Sequence, residues 1–269
     1  MAARCLIVGV LNVTPDSFSD GGRFSGAAEA VEAGLRMVEE GADWIDVGGE
    51  STRPGSQPVP EIEERARVVP VVEGLRRHLG PRASTRISID THKAETARAA
   101  LAAGATVVND VSGGLLDPEI LAVTAQAGAT IVLGHLRGAP ATMMDNVAFT
   151  DVVREVRDEL LGRINAARAA GCRDLWADPG IGFGKRLPHN LALLRALPTW
   201  APELGVPVMI GVSRKAFIGE LTGKGKDARV FGTAAAVTAA VLGGAAAVRV
   251  HDVGAMRDVV RVAEALIRV

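Results

Sequence analysis

The residues best able to do chemistry fall into three sets. Asp90, Asn109 and Asp178 each stand at or beside the C-terminal limit of a short apolar run. Carboxylates and amides of this kind recognise a flat heterocycle whose edge alternates donors and acceptors. Arg53, Lys215, Arg249 and His251 supply positive charge and N–H donors, suited to phosphate, pyrophosphate or a carboxylate. Asn12, with the aspartates that follow it, offers hard oxygen ligands adequate for Mg²⁺ shared with a phosphate. No nucleophile is evident, since neither Cys5 nor Cys172 ends such a run. The glycine-rich Gly180-Ile181-Gly182-Phe183-Gly184-Lys185 is not a Walker loop, because Pro179 replaces the first glycine and Arg186 the hydroxyl residue after the lysine. It remains a place where backbone can approach a ring or an anion.

The elements that must position these groups alternate regularly. Apolar runs occur at Cys5–Val13, Trp44–Gly48, Arg86–Asp90, Thr106–Asp110, Thr130–Gly134, Asp174–Asp178, Pro207–Val212 and Ala246–Val250. They are Val- and Ile-rich and nearly continuous, as parallel strands buried on both faces are. Between them the spacing predicts helices over Ala27–Glu40, Glu61–Leu79, Glu95–Ala103, Asp117–Ala127, Phe149–Ala170, Asn190–Leu204, Arg229–Leu242 and Val253–Ile267. Glycines such as Gly41, Gly104 and Gly128 stand where left-handed helix caps belong. Eight strand–helix units in 269 residues favour an α/β fold, a single-domain (β/α)8 barrel over residues 1–269, with a doubly wound open sheet as the alternative. In such a barrel the strand C-termini build the active site. Here every strand end carries polar groups.

Composition narrows the partners. A formal net charge of -1 argues against duplex nucleic acid, which calls for a basic excess. The longest apolar run, Phe231–Val248, is broken by Gly243-Gly244 and reads as a buried helix feeding a strand, so no membrane association is expected. The N-terminal apolar stretch lacks a cleavage pattern, which points to the cytoplasm. Two cysteines without a spacing partner read as reduced thiols beside a core.

Several polar residues have plainer readings. Asp46 and Glu50 sit on or beside a buried strand and would serve equally as structural partners of Arg or Lys. Asp110 would cap the helix start after Ser112-Gly113-Gly114. His78 and His92 read as surface positions. His189, read as preceding a helix, is a capping residue as readily as a functional one.

The order of motifs resembles that of dihydropteroate synthases. Val10-Leu11-Asn12-Val13-Thr14-Pro15-Asp16-Ser17-Phe18-Ser19-Asp20-Gly21-Gly22 matches the N-terminal motif, and Asp46 through Gly55 (DVGGESTRPG) the second. Ile89-Asp90-Thr91, Asn109 through Gly114, Asp178 through Lys185 with His189-Asn190, Ser213-Arg214-Lys215 and Arg249 through Val253 complete a set spanning nearly the whole chain. The resemblance implies a TIM-barrel transferase of folate biosynthesis. It would join para-aminobenzoate to 6-hydroxymethyl-7,8-dihydropterin diphosphate and release pyrophosphate. It implies that Asp90, Asn109, Asp178 and Lys215 hold the pterin, with Phe183 and Arg249 flanking its ring. Asn12, Arg249, His251 and Mg²⁺ would hold the diphosphate. Phe18, Thr52, Arg53 and Pro54 belong to loops that order over the substrates, and Asp20 matches an aspartate that stabilises the charged intermediate. A homodimer and a sulfonamide target are implied as well.

Two positions depart from the pattern. Ala216 replaces a serine whose hydroxyl commonly contacts the aminobenzoate carboxylate, a loss of about 1 kcal/mol. Gly134 replaces a methionine, so one wall of the pterin pocket is expected to be thinner. Two other readings stay open: a pterin-binding methyltransferase-type barrel, which has no use for Thr52-Arg53 or Ser213-Arg214-Lys215, and a non-catalytic paralogue.

Overall fold

A computed structural model describes residues 4–14, 23–51, 55–81 and 83–267. Strands and helices alternate: β1 (Leu6–Asn12), α1 (Arg23–Glu39), β2 (Trp44–Gly48), α2 (Glu61–Leu79), β3 (Arg86–Asp90), α3 (Ala94–Ala102), β4 (Val107–Asp110), α4 (Glu119–Ala127), β5 (Thr130–Gly134) and α5 (Val152–Ala169). There follow β6 (Leu175–Asp178), α6 (Leu187–Arg195), α7 (Leu197–Trp200), β7 (Met209–Ile210), α8 (Ala216–Thr222), α9 (Val230–Leu242), β8 (Ala247–Val250) and α10 (Val253–Ile267). The sheet runs β6-β5-β4-β3-β2-β1-β8-β7, and the ladders between neighbouring strands are all parallel. A parallel bridge between Ala177 and Val208 joins its two edges. The ring therefore closes as the expected (β/α)8 barrel, and the open-sheet alternative falls away.

Two departures have local causes. The expected helix Asn190–Leu204 starts earlier, at Leu187, and is cut into α6, α7 and a 3-10 turn, Pro202–Leu204. Pro198 and Pro202 each lack the N–H that would continue a helix. The short α8 falls between the expected strand Pro207–Val212 and the expected helix Arg229–Leu242, because seven residues are too few for a periodic signal.

The interior is layered because side chains alternate along each strand. Val8, Trp44, Val107, Val132, Met209 and Ala247 form one inner cluster. Trp176 packs edge-on against Trp44, and the Arg86 guanidinium lies over that ring. Two residues further along the same strands, the inward positions become Val10, Asp46, Asn109, Gly134, Asp178, Gly211 and Arg249. One fold rule thus turns an apolar plug into a polar floor. The outward faces of the strands meet the helices in the larger core, built from residues such as Ile45, Ile87, Ile131, Leu75 and Leu160.

Candidate active site

Arg249 is the centre of the polar floor. Its Nε donates to Asp46 Oδ2 and its Nη2 to Asp90 Oδ2, both at 2.6 Å. Asp46 Oδ2 also accepts from the Asn109 amide at 2.9 Å, which turns the amide carbonyl of Asn109 away from Asp46. Asp46 and Asp90 are both buried, and each keeps one buried oxygen, Oδ1, with no hydrogen-bond partner among the described residues. Buried acceptors left open in this way are costly unless something else fills them. Burial, reinforced by the charge of Asp46 and opposed by Arg249, pushes the Asp90 carboxyl up to about 7. Burial also works against the charge on Arg249, but the surrounding carboxylates outweigh it and raise its pKa.

Above this floor lies a narrow cleft lined by Asn109, Val111, Gly134, Asp178, Gly180, Ile181, Phe183, Gly211, Lys215 and Arg249. Asp178 Oδ1 accepts the Gly180 N–H at 2.7 Å. Burial raises the Asp178 pKa, and that hydrogen bond, with Lys215 and Arg249, opposes the rise. The Lys215 ammonium sits 4.0 Å from the centre of the Phe183 ring. Gly211 leaves room beside Asp178 and Arg249, since a Cβ there would come no nearer than 3.8 Å to either. A wider crevice lined by Phe149, Glu155, Arg186 and His189 contains no strand end and none of these groups.

The structure brings Asp90, Asn109, Asp178, Phe183, Lys215 and Arg249 together, as their places at strand ends require. His251 follows β8 beside them. Its backbone N–H donates to Ser213 Oγ at 3.1 Å, and its Nδ1 lies 3.0 Å from the same oxygen. In the tautomer where the Ser213 hydroxyl donates to Nδ1, the ring proton stands on Nε2. Burial, then Arg249, Arg214 and Lys226, push the His251 pKa down to about 3. His251 is therefore a neutral N–H donor here rather than the cation its type suggested. Asn12 ends β1 on the inward face. Phe18, Asp20, Thr52, Arg53 and Pro54 lie outside the described residues.

Other expectations are sharpened. The Gly134 position holds no void: a Cβ there would lie 2.6 Å from Val111 Cα and 2.7 Å from its carbonyl oxygen. Main chain, not empty space, stands where a side chain was missing. Asp110 caps a turn rather than a helix, accepting from Ser112 N, Ser112 Oγ and Gly114 N at 2.8, 2.8 and 2.6 Å. His189 lies inside the first turn of α6, where Nδ1 accepts the Arg186 N–H at 3.3 Å. Glu50 pairs with Lys93, as the structural reading of it held. Asp46 belongs to this floor as well as to the strand, and a carboxylate in the middle of a buried strand is itself a signal. Arg214, next to Lys215, adopts a positive φ of 56° and is clamped by Asp252 at 3.1 and 2.5 Å. Such strain tends to cluster at functional sites.

Comparison with known proteins agrees with this geometry. Residues 8–251 match the pterin binding enzyme family. The chain is 46% identical to the dihydropteroate synthase of Synechocystis sp. over 268 residues, covering 98% of this chain and 91% of that protein. The Xanthomonas albilineans dihydropteroate synthase solved with 4-aminobenzoic acid superposes with a TM-score of 0.90 at 46% identity, covering 99% of this chain and 94% of that one. The Yersinia pestis dihydropteroate synthase solved with a sulfonamide drug gives 0.91 at 38% identity, covering 99% and 95%. A barrel whose strand ends gather a ring-recognising floor and a cationic rim, and which shares nearly its full length with these enzymes, belongs to the pterin binding enzyme family, among its dihydropteroate synthases.

Proposed function

We propose that this chain joins para-aminobenzoate to 6-hydroxymethyl-7,8-dihydropterin diphosphate, with loss of pyrophosphate. The observation that carries the reading is the buried Asp46–Arg249–Asp90 arrangement beneath a cleft that also holds Asn109, Asp178, Phe183 and Lys215. Open carboxylate oxygens and the Asn109 carbonyl accept the N–H groups of a pterin edge. Phe183 and the Arg249 guanidinium present flat faces to its ring. As the C–O bond to the diphosphate breaks, positive charge grows on the methylene carbon. Fixed carboxylates in a water-poor cleft stabilise that charge without reorganising. Lys215, Arg249 and the His251 Nε2–H lie on the side where the negative leaving group needs donors. The arylamine then attacks the carbon and loses its proton.

Asn12 fits a Mg²⁺ ligand in one respect. Its side-chain amide makes no hydrogen bond among the described residues, and no cluster of three His, Cys, Asp or Glu that could hold a metal occurs among them. A site with one protein oxygen suits Mg²⁺, which keeps its waters and is completed by substrate phosphates. When bound, the ion neutralises charge on the departing diphosphate.

A homodimer is part of the proposal. Leu221, Phe231, Val262 and Leu266, on α8, α9 and α10, are 57%, 86%, 63% and 65% exposed. Exposed apolar side chains on neighbouring helices favour association. A cytoplasmic site of action is also part of the proposal; no helix among the described residues is long and apolar enough to cross a membrane. A sulfonamide, as an aminobenzoate analogue, is the inhibitor class to expect.

Purified protein supplied with both substrates and Mg²⁺ should release pyrophosphate and form dihydropteroate in equal amounts. No product at any Mg²⁺ concentration would sink the reading.

A further inference from the structure

The loop between β6 and α6 closes around an ammonium group. Lys185, the last residue of the glycine-rich loop, is 3% exposed. Its Nζ lies 2.9 Å from His135 Nδ1 and donates toward the carbonyls of Phe183 at 3.0 Å, Gly180 at 3.1 Å and His135 at 3.3 Å. Among the described residues no carboxylate comes within ion-pair distance of it. Burial pushes the Lys185 pKa down to about 7, and its nitrogen is held by four neutral acceptors, the condition on which a buried amine is tolerated.

The wrapping is tight. Gly180 has φ +65°, and a Cβ there would lie 2.0 Å from the His135 carbonyl oxygen and 3.3 Å from Lys185 Nζ. The far side of the cage is held as well. His135 Nε2 meets Glu159 Oε2 at 3.0 Å, and Arg163 donates to the carbonyls of Gly134 and Leu136. Three successive carbonyls at the end of β5 thus accept from two buried basic side chains. The loop segment tied down by Lys185 is the one that works at the cleft. Gly180 N–H orients Asp178, and Phe183 lies against Lys215.

We infer that Lys185 is a positioning residue for the ring half of the site: by tying the carbonyls of Gly180 and Phe183 to the end of β5, it fixes the Asp178 carboxylate and the Phe183 ring where the heterocycle is held. The inference rests on the functional reading above and gives Lys185 no contact with substrate. A lysine that served folding alone would change the melting temperature and leave ligand affinity of the folded protein unaltered.

Lys185→Met keeps the stem and removes the ammonium; Lys185→Gln keeps two N–H donors. Calorimetric titration with 6-hydroxymethylpterin, which carries the ring without the diphosphate, and separately with pyrophosphate, divides the two halves of the site. In folded Lys185→Met the ring Kd should rise about tenfold, the scale of one or two buried hydrogen bonds. The pyrophosphate Kd should stay within about threefold, well inside one such bond. The KM for the dihydropterin diphosphate should rise while that for aminobenzoate holds. Adding Phe183→Ala should cost less than it does alone, because both changes act through the same ring. An unchanged ring Kd, or full additivity, overturns the inference. If Lys185→Met does not fold, Lys185→Gln should show a smaller rise in ring Kd, and no rise overturns the inference equally. Wild-type protein that binds pyrophosphate but no pterin ring sinks the functional reading and the inference with it; wild-type binding with an unaffected folded variant sinks the inference alone.

Discussion

Arg249 on β8 reaches across the barrel to place its Nη2 2.6 Å from Asp90 Oδ2 on β3. Asp46 takes the other side of the guanidinium. One arginine thereby fixes two carboxylates, and each retains one oxygen, Oδ1, without a partner among the described residues. The arrangement holds the ring-recognising groups still before any ligand arrives.

Asp46→Asn tests that arrangement. It keeps the shape and removes a charge, leaving Arg249 with one carboxylate partner. Ring affinity should fall about tenfold and the melting temperature should drop, as expected when a buried pair loses a partner. Asp46 also helps hold the Asp90 pKa at about 7. Ionised Asp90 is the form that accepts ring N–H groups, so ring affinity should rise with pH through that value. In Asp46→Asn the rise should move to lower pH. Calorimetry at several pH values reads both effects; unchanged affinity would leave Asp46 a purely structural partner.

Two histidines predict acid sensitivity. His135 is pushed down to about 4, first by burial and then by Lys185 and Arg163, against the pull of Glu159. His251 is pushed down to about 3. Both folded values lie below the unfolded one, so unfolding takes up protons. Their stabilisation is complete above pH 6.5 and is lost as pH falls toward 4. Asp90, raised instead, slopes the other way between 3.8 and about 7 and offsets part of the loss. His135 alone contributes about 3 kcal/mol at most. Denaturant unfolding across pH 4–7 should show this decline, and His135→Gln should flatten it. A slope identical in the variant would contradict the assignment.

Gly134→Ala should destabilise. The added Cβ meets Val111 main chain at 2.6 Å, and backbone cannot step aside as a side chain can. Overpacking of this kind costs about 1–3 kcal/mol, a fall of several degrees in a chain this long. The ring pocket should also narrow and its affinity fall. An unchanged melting curve would mean that the β4–α4 loop yields easily.

Asn12 should govern the metal requirement. Chelation by EDTA should abolish turnover and Mg²⁺ should restore it. Asn12→Ala should raise the Mg²⁺ concentration for half-maximal rate several-fold, by roughly the 1–2 kcal/mol of one lost ligand contact. Ring affinity measured without diphosphate should not change. A Mg²⁺ dependence identical to wild type would remove Asn12 from the metal site.

The strand order and the polar rim were legible because both follow from short-range rules. Buried parallel strands must be apolar on both faces, so Trp44–Gly48, Arg86–Asp90 and Thr130–Gly134 announced themselves to the residue. Strand seven did not. Only Met209–Ile210 pair regularly within the expected Pro207–Val212, because the ring closes beside them through a single bridge. The short α8 left no periodicity to read. Lys185 was visible only as the end of a loop that failed a phosphate-binding pattern. Nothing in its neighbours announces that two of its four partners come from residue 135, fifty positions away.

The sequence by itself determined which side chains stand at which strand ends, and so the chemistry available: acids and amides for a ring, cations for an anion. Period-two alternation along each strand was enough to turn them inward. Tertiary structure decided what each group does there. Asp46 and Arg249 are 203 residues apart, yet their contact sets the charge on the floor of the site. Burial and neighbouring cations made His251 neutral, and Val111 main chain filled the place left by Gly134. Desolvation and pairing depend on distance through space, and only the closed barrel fixes that distance.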